Sequence, residues 1–353
     1  MRQRLAGRLD ALILLAALLG PIGLLPLMSA GDGTAAAASE PPPSAAIASD
    51  GGSPVAVAPS GSPGPSHAPS PVVSVDPNVA RVTSVSALLA SLRNNRIGEI
   101  IVADGTYHVS PSGGLSADSL WIGEQFASRT RPVVVRAETP GGVIFDGAGG
   151  GDGYGGLSFE DGAHDQTWDG FTFANMKVDL SGVIEIGGYT ARAAPHHITL
   201  RNITIEASCT GSSTSRSAPA VDHAVYIANA LDPGPHDIAF ENLTVDGRGG
   251  LASAMHFFHS TPAAPNASDL TVRGLQVIGT QQAIMLWDPT LRNIRFDDVR
   301  ITNALVYAVR YETVGAKGIV LSDVRSTGSG FAGFFSSRGS SPSGITITNS
   351  VLR

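Results

Sequence analysis

The 353-residue chain has a single cysteine, Cys209, two lysines, Lys177 and Lys317, and only 6% aromatic residues. One cysteine permits no internal disulfide, so the fold must be held by apolar layers and hydrogen bonds. Scarce lysine and a formal net charge of −7 exclude the concentrated basic surface that neutralises phosphates, so nucleic acid is not an expected partner. Charge is missing altogether from Ala11 to Met28, which follow Arg2, Arg4 and Arg8 and lead to Ser29 and Ala30, with Pro21 and Pro26 interrupting the run. A basic start, an apolar stretch and a small-residue exit describe an export signal over residues 1–30. The run also approaches the length of a bilayer span, so the alternative is an uncleaved membrane anchor. Either way the remainder is expected outside the cytoplasm, secreted or displayed at the cell surface. Residues 31–77 are dominated by Ala, Ser, Pro and Gly. Such a stretch buries too little apolar surface to offset its ordering entropy and reads as a flexible tether. Its His67 has no partner there.

What is present begins with a recurring phrase. Ile198-TLRNIT-Ile205 is followed by Ile238-AFENLT-Val245, Leu270-TVRGLQ-Val277, Ile294-RFDDVR-Ile301, Ile319-VLSDVR-Ser326 and Ile345-TITNSV-Leu352, with a fainter earlier copy, Gln166-TWDGFT-Phe173. Apolar residues alternate on both sides of a fixed break, which predicts two short strands joined by a tight corner. The corner is Gly170, Asn202, Asn242, Gly274, Asp298, Asp323 and Asn349, and only these three residue types accept left-handed backbone cheaply. Starts at 198, 238, 270, 294, 319 and 345 are separated by 40, 32, 24, 25 and 26 residues. A constant unit with variable insertions predicts a solenoid, here a coiled parallel β-structure over residues 78–353.

Ser84 to Leu92 has helical spacing with Ser84 as N-cap, and leads into Glu99-IIVADGTYHV. The run ALLASLRNNRIGEIIVADGTY resembles the N-terminal cap and first coil of secreted right-handed parallel β-helix proteins of the pectate-lyase-like superfamily, which includes the chondroitinase-B-like and alginate-lyase-like polysaccharide lyases. The resemblance implies an all-β right-handed parallel β-helix with a capping helix. It covers about residues 81–353 and leaves the activity open, because that superfamily holds lyases, hydrolases, epimerases and binding proteins.

A second strand precedes each phrase: VIEIGG from Val183, AVYIAN from Ala224, AMHFFH from Ala254, AIMLWD from Ala283, AVRYET from Ala308 and AGFFSS from Ala332. Alternation assigns Ile184, Val225, Met255, Ile284, Val309 and Gly333 to one inward column, and Ile186, Ile227, Phe257, Leu286, Tyr311 and Phe335 to a second. The outward column between them is Glu185, Tyr226, His256, Met285, Arg310 and Phe334, expected to face solvent as one ribbon.

Tyr, His, Arg and Glu beside exposed Phe258 and Trp287 suit a polysaccharide, since aromatic faces stack on sugar rings while charged groups orient them. For β-elimination from a uronate, Arg310 offsets the carboxylate, His256 removes the C5 proton and Tyr226 protonates the departing oxygen. The superfamily resemblance makes Arg310 an alternative base. Glu185, Asp222, His223, Phe258, His259, Trp287, Asp288 and Glu312 are the expected substrate-binding residues, with Asp222 and His223 also a candidate base or calcium-ligand pair. Two competing readings are a glycoside hydrolase using Asp288 and Glu312 and a non-catalytic glycan-binding rod. No metal site is assigned. Calcium is the one cofactor the residues suggest, through the tract Asp146-GAGGGDGYGG, which also reads as a plain glycine loop. His196-His197 is expected to cap a turn rather than bind metal, and the chain is expected to be a monomer.

Overall fold

The computed structural model describes residues 76–110, 119–147, 156–176, 178, 181–188, 193–206, 223–229, 234–247, 250–259, 267–312, 315–330, 332–336 and 344–353. Residues 1–75, most of the glycine tract and Asp222 lie outside the described residues. Among the described residues no helix is long and apolar enough to cross a membrane.

The chain enters through a strand, Val79–Val82, and a helix, Val85–Leu92. Ser84 caps that helix, its hydroxyl accepting the Ala87 N–H at 3.2 Å, which satisfies one of the donors a helix start leaves open. Val85, Leu88, Leu89 and Leu92 turn inward. From there the chain winds as a parallel β-helix, right-handed as parallel crossovers are. Among the described residues every paired strand is parallel, in two sheets of 15 and 8 strands. The smaller sheet stacks Leu120–Ile122, Leu157–Glu160, Gly182–Gly188, His223–Asn229, Ser253–His259, Gln282–Trp287, Tyr307–Tyr311 and Ala332–Ser336 in chain order, one per coil.

The recurring phrase forms the larger sheet. Ile198, Ile238, Leu270 and Ile294 are in register across successive coils. The corner does not always end a strand: His196–Glu206, His236–Asp246 and Arg292–Thr302 run through it as bent units of 11 residues. The seven corner residues all have positive φ, from 47° at Asn349 to 83° at Gly170. Their side chains also form a ladder: the Asn242 amide donates to Asn202 Oδ1 at 3.1 Å, and the Asn202 amide to Asp169 at 2.7 Å. Asn242→Ala is therefore expected to lose about 1–2 kcal/mol of unfolding free energy in urea titration, and Asn242→Gly distinctly less.

A second corner precedes the phrase, at Asp165, His197, Asp237, Asp269, Asn293, Gly318 and Gly344, again with positive φ throughout. His197 occupies this corner, and His196 Nδ1 lies 2.9 Å from the Ala194 carbonyl. The His196 ring stacks between His164 and His236, with centroids 5.1 Å away on either side. The His197 ring is edge-on to that of His196, with Nδ1 3.3 Å from Asp165 and Nε2 3.7 Å from Asp237.

Both inward columns fill the core: Ile184, Ile186, Val225, Ile227, Met255, Phe257, Ile284, Leu286, Val309 and Tyr311 are all buried. With Ile198, Leu200, Ile203 and Ile205, one coil buries six large side chains. That is on the order of 10 kcal/mol of gross transfer free energy per coil, mostly offset by ordering entropy.

The last coil departs from the expected register. Val309 pairs with Phe334, and Tyr307 with Ala332, so Gly333 does not continue the inward column. A Cβ at Gly333 would come within 2.3 Å of the Leu352 backbone, and the strand shifts by one. Phe334, expected outside, packs instead against the core, its ring 6.5 Å from that of Tyr311.

Candidate active site

The column expected to face solvent is in register as drawn: Glu185 beside Tyr226, Tyr226 beside His256, His256 beside Met285 and Met285 beside Arg310. It is not an open ribbon. Glu185 is 3% exposed, His256 4% and Met285 5%. Strand alternation says which side chains leave the core, but not whether other parts of the chain cover them.

At the centre stands His256. Its ring is edge-on to His223 at 4.3 Å, tilted against Tyr226 at 5.3 Å, edge-on to Phe258 at 5.7 Å and near-parallel to Trp287 at 5.8 Å. His256 Nδ1 lies 2.9 Å from His223 Nε2, and His223 Nδ1 lies 2.8 Å from Ser253 Oγ. The other nitrogen, His256 Nε2, is buried and has no hydrogen-bond partner among the described residues. An unpartnered buried polar atom costs about 1–3 kcal/mol and calls for an explanation.

Strict alternation would send His223 and Ser253 into the core. Ala224 and Val225, however, are both buried there, as are Ala254 and Met255. Two consecutive inward residues flip the parity, which brings His223 and Ser253 to the side of Tyr226 and His256. The sequence signal was the apolar column Val183, Ala224, Ala254, Ala283 and Ala308, each buried in the core directly before an inward residue.

Burial without a counter-charge pushes the His223 imidazole down to about 3. His256 is held well below the usual histidine value, first by burial and then by the charges of His223 and Arg310. Tyr226 moves the other way, well above the usual phenol value, through burial and then the Glu185 carboxylate. At neutral pH the cluster therefore holds a neutral imidazole beside a protonated phenol. Glu185 accepts a 2.6 Å hydrogen bond from Ser181, which the sequence reading had not singled out.

Arg310 sits beyond Met285. Its guanidinium pairs with Glu312, reaches Gln282 Oε1 at 3.4 Å, and lies over the Trp287 ring at 5.4 Å. The guanidinium expected as the alternative base is thus engaged by a carboxylate. Glu312 is a partner of Arg310 rather than a free substrate ligand. Asp288, 1% exposed, accepts the Thr290 backbone N–H at 2.8 Å and shapes a turn. Trp287 is 40% exposed and Phe258 partly exposed, in register one coil apart. The His259 backbone pairs with that of Asn229, while its side chain, like all of Asp222, lies outside what is described. Asp146 accepts a 3.0 Å hydrogen bond from Asn175, and among the described residues no group of three or more His, Cys, Asp or Glu is placed to hold a metal ion.

No family model and no curated protein matches the chain. Among solved structures it is similar to the catalytic domain of a GH87 α-1,3-glucanase in complex with nigerose, at 13% identity over 79% of this chain and 69% of that one, TM-score 0.27. It is similar to an alginate lyase from Paenibacillus sp. str. FPU-7, at 14% identity over 76% and 97%, TM-score 0.27. A third is the A-module of the Azotobacter vinelandii mannuronan C-5 epimerase AlgE4, at 11% identity over 74% and 94%, TM-score 0.24.

Proposed function

We propose that the chain is an exported carbohydrate-active β-helix enzyme that cleaves an acidic polysaccharide by β-elimination. The observation that carries this reading is His256 Nε2, an imidazole nitrogen with no hydrogen-bond partner among the described residues, in a column that also holds Tyr226 and Arg310. A general base needs a free lone pair and a general acid needs its proton, and burial supplies both at neutral pH.

In the proposed reaction substrate docking opens access to the buried His256 Nε2, which takes the proton from C5 of a uronate. The C5–H electrons become the C4=C5 double bond, the C4–O bond breaks, and the departing oxygen takes the Tyr226 proton. The imidazolium then returns its proton to the phenolate. Arg310, over the exposed Trp287 face, supplies positive charge where the carboxylate accumulates charge, while Trp287 and Phe258 offer sugar-stacking surface. The hydrolase reading is weaker, since Asp288 is spent on its turn and Glu312 on Arg310.

The test adds a panel of polyuronates to the full chain and reads ultraviolet absorbance of the unsaturated product. His256→Gln is expected to lose that signal by about 10²–10⁴-fold with its circular dichroism intact. Reducing ends released without the unsaturated chromophore would replace the lyase reading with hydrolysis. An active His256→Gln would remove the base.

A further inference from the structure

The chain Ser253–His223–His256 has two self-consistent proton arrangements, and they differ at the one atom that matters. In the first, the Ser253 hydroxyl donates to His223 Nδ1, His223 Nε2–H donates to His256 Nδ1, and His256 must carry a proton on Nε2. In the second, every bond is reversed: His256 Nδ1–H donates to His223 Nε2, His223 Nδ1–H donates to Ser253 Oγ, and His256 Nε2 keeps its lone pair. The heavy-atom distances of 2.8 and 2.9 Å fit both.

One observation selects the second: His256 Nε2 is buried with no hydrogen-bond partner among the described residues, and orphaned buried N–H groups are rarer than orphaned acceptors. Ser253 is fully buried and His223 nearly so, which keeps water from competing for either bond.

We propose that Ser253 and His223 are positioning residues that hold His256 in the tautomer with Nδ1 protonated and Nε2 bare. Their importance for turnover rests on the reading of His256 as the base; the tautomer itself does not. Neither needs to touch substrate. Removing the Ser253 acceptor leaves His223 Nδ1–H unsatisfied. His223 then moves its proton to Nε2, and His256 is forced to carry its own on Nε2, where it cannot accept another.

The experiment is ¹⁵N spectroscopy of histidine-labelled full-length protein at neutral pH, paired with steady-state kinetics on the polyuronate panel. In the native chain His256 Nε2 is expected to resonate as an unprotonated ring nitrogen. Ser253→Ala should move it to the protonated position, with kcat reduced at least tenfold and KM little changed. Ser253→Thr, which keeps the hydroxyl, should restore both. His223→Gln, whose amide oxygen can accept from His256 Nδ1, should hold the native tautomer where His223→Leu does not. A native His256 with Nε2 protonated, or a Ser253→Ala spectrum identical to the native one, overturns the proposal. The expected tautomer shift in a native chain inactive on every polyuronate upholds the assignment and removes the base reading instead.

Discussion

Lowering the pH from 7 to 4 is expected to cost the protein at least about 3 kcal/mol of folding stability through His223 alone. The sign follows from where each state binds protons. Unfolded, the imidazole titrates near its ordinary value of 6.5; folded, burial pushes it down to about 3. Above 6.5 both states are neutral and the residue is silent. Between 6.5 and about 3 only the unfolded chain takes the proton, so stability falls as pH falls, by about 1.4 kcal/mol per pH unit. His256 shifts in the same direction for the same first cause, so its contribution has the same sign. Against a total of roughly 5–15 kcal/mol for a native domain, such a term is decisive. Urea unfolding at pH 7, 6, 5 and 4 measures it, and a His223→Gln, His256→Gln double variant isolates it from the carboxylates. The native curve should steepen below 6.5 relative to that variant. Parallel curves would mean that neither imidazole is buried as described.

The same residues show where sequence reading succeeds and where it stops. The left-handed corners were legible because Gly, Asn and Asp share one physical property, and all seven have positive φ. The corner one residue before each phrase could have been read the same way, since Asp165, Asp237, Asp269 and Asn293 carry the same signature. His197 shares that position, and histidine, like Asn and Asp, is enriched in left-handed backbone. The core columns were legible because an apolar stripe of period two has only one inward face. Two things were not. The parity flip at Ala224–Val225 and Ala254–Met255 depends on two neighbouring residues both packing in the core, and it brings Ser253, which the sequence reading did not single out, into the site. The burial of Glu185 and His256 depends on what lies over the sheet, and a strand pattern carries no record of that.

Gly182→Ala is expected to reduce turnover about 100-fold while unfolding changes by about 1–3 kcal/mol. Gly182 lies in register with His223 one coil on, in the strand that also carries Glu185. A Cβ there would stand 2.6 Å from the Ile184 carbonyl oxygen and 2.7 Å from both the backbone nitrogen and the Cβ of Tyr226. None of these atoms is the far end of a flexible side chain, so the collision cannot be relieved by a rotamer change. The two strands must separate, and the one that moves carries both Tyr226 and His223. Core contacts at Ile184, Val225, Ile186 and Ile227 resist but survive a shift of a few tenths of an ångström, which keeps the stability loss modest. The proposed proton transfer is less forgiving, because it requires the Tyr226 hydroxyl and His256 Nε2 both to stay within hydrogen-bond reach of one substrate. Near-ultraviolet circular dichroism of the Tyr226–Phe258–Trp287 cluster should change with the activity, while the far-ultraviolet spectrum stays native. A Gly182→Ala protein with native turnover and native aromatic spectrum would show that the site does not depend on this close approach of backbones.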